Sequence, residues 1–221
     1  MNVAAHEMNA TAELAGQLDF GLNDRRAALR VSLDGLIAAL LLVLLAPLLT
    51  LLALLVRLDS PGPALFRQTR TGLNGRTFRI YKFRTMRVQE DGGVIRQARR
   101  GDARVTRLGA LLRKTSLDEL PQLLNVIRGE MSLVGPRPHA TAHDTYYGGL
   151  IPAYQRRFAA RPGITGWAQI NGSRGETPEL SDMQRRIELD LWYVENQSLA
   201  LDLRILIATA LHILPSRSNA Y

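Results

Sequence analysis

The hydrophobic pattern divides the chain into one unbroken apolar run and a longer region of short-period alternation. Residues 35–56, GLIAALLLVLLAPLLTLLALLV, carry no charge, and Thr50 is their only polar side chain. A helix needs about 20 apolar residues to cross the hydrocarbon layer, so this run is long enough. Pro47 falls near its middle, where it removes a backbone donor and pushes Ala46 away from helical geometry. Arg25, Arg26 and Arg30 precede the run, and Arg57, Arg67 and Arg70 follow it. Positive charge favours the cytoplasmic side, and here both ends ask for that side. A helix broken at Pro47 that enters and leaves by one face satisfies both. A spanning helix with a tolerated proline is the alternative. A buried core helix fails, because nothing else in the chain is apolar enough to surround it. Residues 1–24 lack the pattern of a secretory signal and read as a frayed or helical lead-in.

After the turn cluster LDSPGP the period shortens to two. ALFRQTR and TFRIYKFRTM read as two strands around a turn containing Gly72, Asn74 and Gly75. Phe78, Ile80 and Lys82 share one face of the second strand, with Arg79, Tyr81 and Phe83 on the other. Residues 89–101 read as a charged loop. Helical spacing then takes over: Val105, Leu108, Leu111 and Leu112 in one segment, Leu120, Leu123, Leu124 and Ile127 in the next, which Gly129 ends. Residues 154–161 predict a helical piece and residues 164–170 a strand. Residues 180–195 and 199–214 predict two more helices, the last packed on the core or lying in the lipid interface.

The totals add a direction. The 221-residue chain has a net charge of +8 and no cysteine, which excludes disulfides and thiolate metal sites. Its partners are expected among polyanions: nucleic acid, anionic membrane or phosphorylated small molecules. All its cations except Lys82 and Lys114 are arginine, by codon bias or because a planar fork suits phosphate. The basic strands lack stacking aromatics, which argues against nucleic acid. No P-loop, G-x-G-x-x-G, zinc-spaced histidine cluster or Ser/His/Asp order is present, and His139 and His143 fall in a loop-like region.

The chemistry concentrates in TSLDELPQLLNVIRGEMSLVGPRP, residues 115–138. Ser116 and Glu119 fit a capping box, and Pro121 suits a first helical turn. Asp118 and Glu119 would then meet the positive helix end, which favours both ionised forms. An ionised aspartate can attack phosphorus, and an ionised glutamate can hold Mg²⁺. Pro136 and Pro138 fix Arg137 on stiff backbone, either as a rigid turn or as a prepared phosphate contact.

Five segments in order carry a resemblance: DSPGPALFRQTRTG, FRIYKFRTM, LRKTSLDELPQLLNVIRGEMSLVGPRP, RPGITGWAQINGSRG and LDLRILIATAL, behind the proline-centred apolar run. The chain resembles the bacterial sugar transferases, the monotopic polyprenyl-phosphate phosphoglycosyl transferases, from about Arg30 to Leu214. The resemblance implies transfer of a sugar-1-phosphate from a UDP-sugar to a polyprenyl phosphate such as undecaprenyl phosphate, releasing UMP, as the first membrane step of exopolysaccharide, capsule or O-antigen synthesis. It implies Asp118 as nucleophile through a phosphosugar intermediate, Glu119 as the Mg²⁺ ligand, and Lys82, Arg84, Arg113, Arg137 and Arg174 as substrate-binding residues. It also implies a break of the membrane helix at Pro47, where the family often has Ser-Pro and this chain has Ala46-Pro47.

The expected architecture is α+β and mainly helical. A lead-in over residues 1–30 precedes a re-entrant membrane helix over 31–58. A catalytic domain over 59–221 follows, with a short β-hairpin and interfacial amphipathic helices, on the cytoplasmic face of the bacterial inner membrane against its anionic leaflet. A second copy of the chain is a candidate partner. Two other readings stay open: direct single displacement with the dyad only binding metal, and a non-enzymatic basic membrane-tethered protein.

Overall fold

The computed structural model describes residues 3–87 and 101–213. Helix α1 runs from Val3 to Asp59 and contains the whole apolar run. The expected break at Pro47 does not divide it; helix continues on both sides of the proline. Leu36, Leu40, Val43, Leu44, Leu51, Leu54 and Leu58 stand exposed along α1. Such a continuous apolar face marks a surface made for lipid or protein rather than water. By length and composition the stretch Ala27–Asp59 is able to cross a membrane.

From Ala38 to Val56 the opposite face of α1 packs on the rest of the chain. Ala38, with Leu41 and Leu42, joins a core of Phe78, Ile80, Leu123, Val126, Met131, Leu133, Val134, Tyr193 and Ile205. Leu52 and Val56 join a second core with Phe83 and Leu112. Side chains flanking the apolar run at both ends fasten it to the same domain. Arg30 reaches the Val134 carbonyl at 3.2 Å, pairs with Asp202 at 2.9 Å and hydrogen-bonds Tyr193. At the far end Arg84, 3% exposed, donates to the carbonyls of Val56 and Ser60. A cation on those last carbonyls suits the negative end of the helix.

Strands β1 (Leu65–Thr71) and β2 (Thr77–Phe83) form the expected antiparallel hairpin, with Phe66 opposite Lys82 and Gln68 opposite Ile80. Asn74 and Gly75 make its turn, both at positive φ. The alternation holds where it matters, since Phe78 and Ile80 are buried while Arg79 is exposed. Phe83, on the other face, is also buried because the end of α1 covers it.

Helix α2 (Arg107–Thr115) is capped by Thr106, whose side chain accepts from the Gly109 amide, and a 3₁₀ segment, Leu117–Gln122, leads into α3 (Leu123–Ile127). Gly129, at φ 71°, ends that run as expected. Two short strands follow, β3 (Ser132–Val134) and β4 (Gly163–Thr165), paired in parallel. Between them lie α4 (Thr141–Leu150), where a loop was expected, and a 3₁₀ segment, Tyr154–Ala159. The strand expected over residues 164–170 stops at Thr165, and α5 (Trp167–Ile170) takes its second half. Helices α6 (Leu180–Glu195) and α7 (Leu199–Ile213) close the chain. Of the two alternatives for α7, packing on the core holds for Ile205, which is buried there, while Leu199, Leu203, Ile207 and Leu211 stand exposed. The charged loop expected over residues 89–101 lies almost wholly outside the described residues.

The β3–β4 pairing needs glycine. A Cβ on Gly135 would fall 2.2 Å from the Arg161 carbonyl oxygen, and one on Gly163 would fall 2.0 Å from the Gly135 nitrogen. The two bare backbones exchange hydrogen bonds instead, Gly135 donating to Thr165 and Gly163 to Pro136, each at 2.9 Å. The motifs GPRP and RPGITG are thus two sides of one crossing, which brings Arg137 to the dyad.

Candidate active site

The dyad sits at a sharper bend than a helix start. Ser116 ends α2 in the left-handed region, φ 59°, and its side chain caps nothing. The expected capping box therefore does not form; the amide of Glu119 is met by the Ser116 carbonyl at 3.1 Å. Ser116 Oγ accepts from Arg174 instead. Pro121 then fits the tight 3₁₀ turn, and Asp118 and Glu119 are each 8% exposed.

The two carboxylates stand in different surroundings. Glu119 Oε1 lies 2.7 Å from Lys82 Nζ and 2.7 Å from Arg137 Nη2, and its Oε2 lies 3.3 Å from Arg137 Nη1. Burial pushes the Glu119 carboxyl upward, but Arg137 and Lys82 outweigh it and hold the acid well below its ordinary range. Asp118 enters no ion pair among the described residues. Burial and the neighbouring Glu119 charge push it up to about 6, against the pull of Lys82, Arg113 and Arg137. The expectation that a helix end favours both ionised forms is thus corrected for Asp118, because desolvation exceeds what the local cations return. Burial likewise lowers Lys82, partly offset by Glu119.

Of the residues expected at the site, Lys82, Arg137 and Arg174 converge on the dyad. Arg174 enters through Ser116 and through the fields of Glu119 and Asp118. Arg113 acts on Asp118 through its charge while its guanidinium rests on Thr85 Oγ1 at 3.0 Å and Met86 Sδ at 3.3 Å. Arg84 is directed elsewhere, onto the end of α1. Of the other basic strand residues, Arg67 lies over the Tyr81 ring at 5.4 Å, with Arg128 at 4.9 Å.

Three supporting residues escaped the sequence reading. Asn125, fully buried, accepts from the Tyr81 amide at 3.0 Å and donates to the Arg79 carbonyl at 2.7 Å, which fixes β2 beside Lys82. Arg70 donates to the Pro138 carbonyl at 3.2 Å. Arg157 donates to the Arg137 carbonyl. Their signal is three-dimensional, since each meets a backbone carbonyl or amide distant in sequence.

The donor set fits magnesium of one kind. Among the described residues no cluster of three acidic or histidine side chains exists. A carboxylate has about four lone-pair sites, of which Glu119 uses three, while Asp118 stays outside the ion pairs. One or two carboxylates completed by substrate phosphate is how Mg²⁺ is usually held in phosphoryl-transfer sites.

A buried carboxylate near neutrality beside a clamped partner, with arginines and a lysine around both, is suited to nucleophilic work on a phosphate ester. Known proteins resemble this chain over most of its length. The family described as bacterial sugar transferase matches residues 25–216. A UDP-glucose:undecaprenyl-phosphate glucose-1-phosphate transferase of Caulobacter vibrioides is 58% identical over 189 residues, covering 86% of this chain and 70% of that protein. One of the same description from Xanthomonas campestris is 52% identical over 186 residues, covering 84% of this chain but 38% of its own length. The exopolysaccharide production protein PSS of Rhizobium leguminosarum is 50% identical over 172 residues, covering 76% and 86%. With nearly its whole length inside the family match, this chain belongs to the bacterial sugar transferases.

Proposed function

We propose that this sugar-phosphate transferase moves glucose 1-phosphate, or a closely related sugar 1-phosphate, from a UDP-sugar to undecaprenyl phosphate in exopolysaccharide synthesis. The observation that carries this reading is the asymmetric dyad: Glu119 clamped between Lys82 and Arg137, Asp118 buried beside it and outside the ion pairs. The names of the relatives supply the substrates. Glucose leads among them, although a 42% identical relative from Aeromonas hydrophila is named for N-acetylgalactosamine.

In this mechanism a carboxylate oxygen of Asp118 attacks the phosphorus that bears the sugar. The bond from that phosphorus to the bridging oxygen of the diphosphate breaks, and UMP leaves with the electron pair. The sugar phosphate remains as an acyl phosphate on Asp118. An oxygen of the lipid phosphate then attacks the same phosphorus, freeing Asp118 and forming the lipid diphosphate sugar. Arg137, Arg113 and Arg174 neutralise charge on the diphosphate, which phosphoryl transfer requires more than covalent elaboration. Lys82 holds Glu119 in place. Glu119, with Asp118, would hold Mg²⁺, which supplies further charge neutralisation when bound.

The membrane reading follows from α1. The fastening of its apolar run at both ends, by Arg30 and by Arg84, supports an anchor lying in one leaflet, with the dyad near headgroup depth on the cytoplasmic side. The exposed stripe of α7 extends that apolar surface.

The test uses the full chain and UDP-glucose labelled in the sugar, with no lipid added. One equivalent of UMP should appear, with label retained on the protein and absent in Asp118→Asn. Lipid-dependent turnover with no label ever attached would instead favour direct displacement.

A further inference from the structure

A buried ion pair lies behind Arg137 and takes no part in the steps above. Arg157 and Asp190 are each 2% exposed. The Arg157 guanidinium meets Asp190 Oδ2 through Nη2 at 2.8 Å and Nε at 3.2 Å. Its Nη1 lies 3.1 Å from His139 Nδ1 and 3.6 Å from Asp144 Oδ1. The Tyr154 hydroxyl, 2.7 Å from both His139 and Asp144, closes the group. Burying a charged pair is often no better for stability than well-packed apolar residues would be, so stability alone does not account for it.

Its geometry gives another reason. Nη2, the nitrogen that meets Asp190, also donates to the main-chain carbonyl of Arg137. Pro136 and Pro138 already restrain the backbone on both sides of that residue. His139, the next residue, is gripped by the same guanidinium and by Tyr154. Arg70 takes the carbonyl between them, that of Pro138. The main chain is therefore fixed at successive residues, and from it the Arg137 side chain reaches Glu119. A long arginine on a free loop would lose rotamer entropy each time it met a phosphate; one on an immobilised backbone loses less.

We propose that Arg157, held by Asp190, is a positioning residue for the transfer. It sets the carbonyl of Arg137 and so aims that guanidinium at Glu119 and the substrate phosphates, without touching substrate itself. This rests on the role given to Arg137 above.

The test is a double-mutant cycle on the full chain, reading UMP release from UDP-glucose with undecaprenyl phosphate, normalised to folded protein by a melting curve. Arg157→Lys keeps a cation opposite Asp190 but loses the fork, and Asp190→Asn keeps the shape while loosening the pair. Each should lower kcat/KM by about tenfold or more in the wild-type background, since small misplacements at a reacting centre are costly. In an Arg137→Ala background the same substitutions should change kcat/KM by less than about twofold, because residues acting through one another are not additive. Equal losses in both backgrounds, or wild-type kcat/KM in both single variants, overturn the proposal. Normal turnover by Arg137→Ala alone removes the role of Arg137 first, and the positioning role falls with it.

Discussion

Lys82 and Arg137 converge on one oxygen: Nζ of the first and Nη2 of the second each lie 2.7 Å from Glu119 Oε1. One comes from the hairpin and the other from the turn after β3, so the dyad is where two parts of the fold close on each other. The clamp also divides labour. Two adjacent acids cannot both ionise cheaply in a buried place, and the cations settle which one does.

The first prediction is a pH dependence. In the proposed mechanism Asp118 attacks only when ionised, and burial with the neighbouring Glu119 charge pushes its carboxyl up to about 6. The rate of the first half-reaction, UMP release in one turnover, should rise about tenfold per pH unit below that value and level off above it. Lys82 pulls the Asp118 value down, so Lys82→Met should move the rise to higher pH. A profile flat from pH 5 to 8 in the wild type would remove Asp118 as the titrating nucleophile.

Stability should run the other way. Asp118 titrates higher in the folded chain than its ordinary value of 3.8, so the folded state binds the proton more tightly. That contribution is full below about pH 4 and is lost as pH rises through about 6, leaving a buried, destabilising charge. Asp118→Asn should therefore stabilise the fold at pH 8 by on the order of 1–3 kcal/mol, seen as a raised melting temperature. The gain should vanish near pH 4. A variant no more stable at pH 8 than the wild type contradicts this account of the site.

Arg84 gives a contrasting expectation. Its buried guanidinium closes the end of α1 through the carbonyls of Val56 and Ser60. Arg84→Met should strand the Val56 and Ser60 carbonyls and cost about 1–3 kcal/mol, seen as a lower melting temperature. KM for the UDP-sugar should stay near the wild-type value in the folded fraction. A raised KM with unchanged melting would return Arg84 to the substrate site.

Much of the fold was legible because local patterns and tertiary demands agree. Phe78 and Ile80 alternate as a strand should, and α6 and α7 carry clear helical periods. The misses share a cause. Residues 141–150, TAHDTYYGGL, hold too few apolar positions to show a period, yet α4 forms between β1 and the Tyr154 segment. Ser116 and Glu119 have the spacing of a capping box, but the left-handed turn at Ser116 turns its side chain to Arg174. Asp118, Glu119, Lys82 and Arg137, singled out from dense motifs, do stand together in the fold. Arg157 and Asp190 were not singled out, since a buried arginine amid many exposed ones looks no different in a string of letters.

The membrane arrangement yields the last prediction. A helix that crosses the hydrocarbon layer must put its ends about 30 Å apart on opposite sides. Here Arg30, just before the apolar run, is bound to Val134, Tyr193 and Asp202, and Val56 at the end of the run is bound to Arg84. All those partners belong to one polar domain, which cannot follow the helix through lipid without burying its charges. Both ends should therefore face the cytoplasm. Because the chain has no cysteine, single substitutions can report this without background. Ala27→Cys and Arg76→Cys should both resist an impermeant maleimide in intact cells and both react once the inner membrane is opened. Reaction of Ala27→Cys from outside, with Arg76→Cys still protected, would establish a spanning helix and displace the dyad from the depth proposed for it.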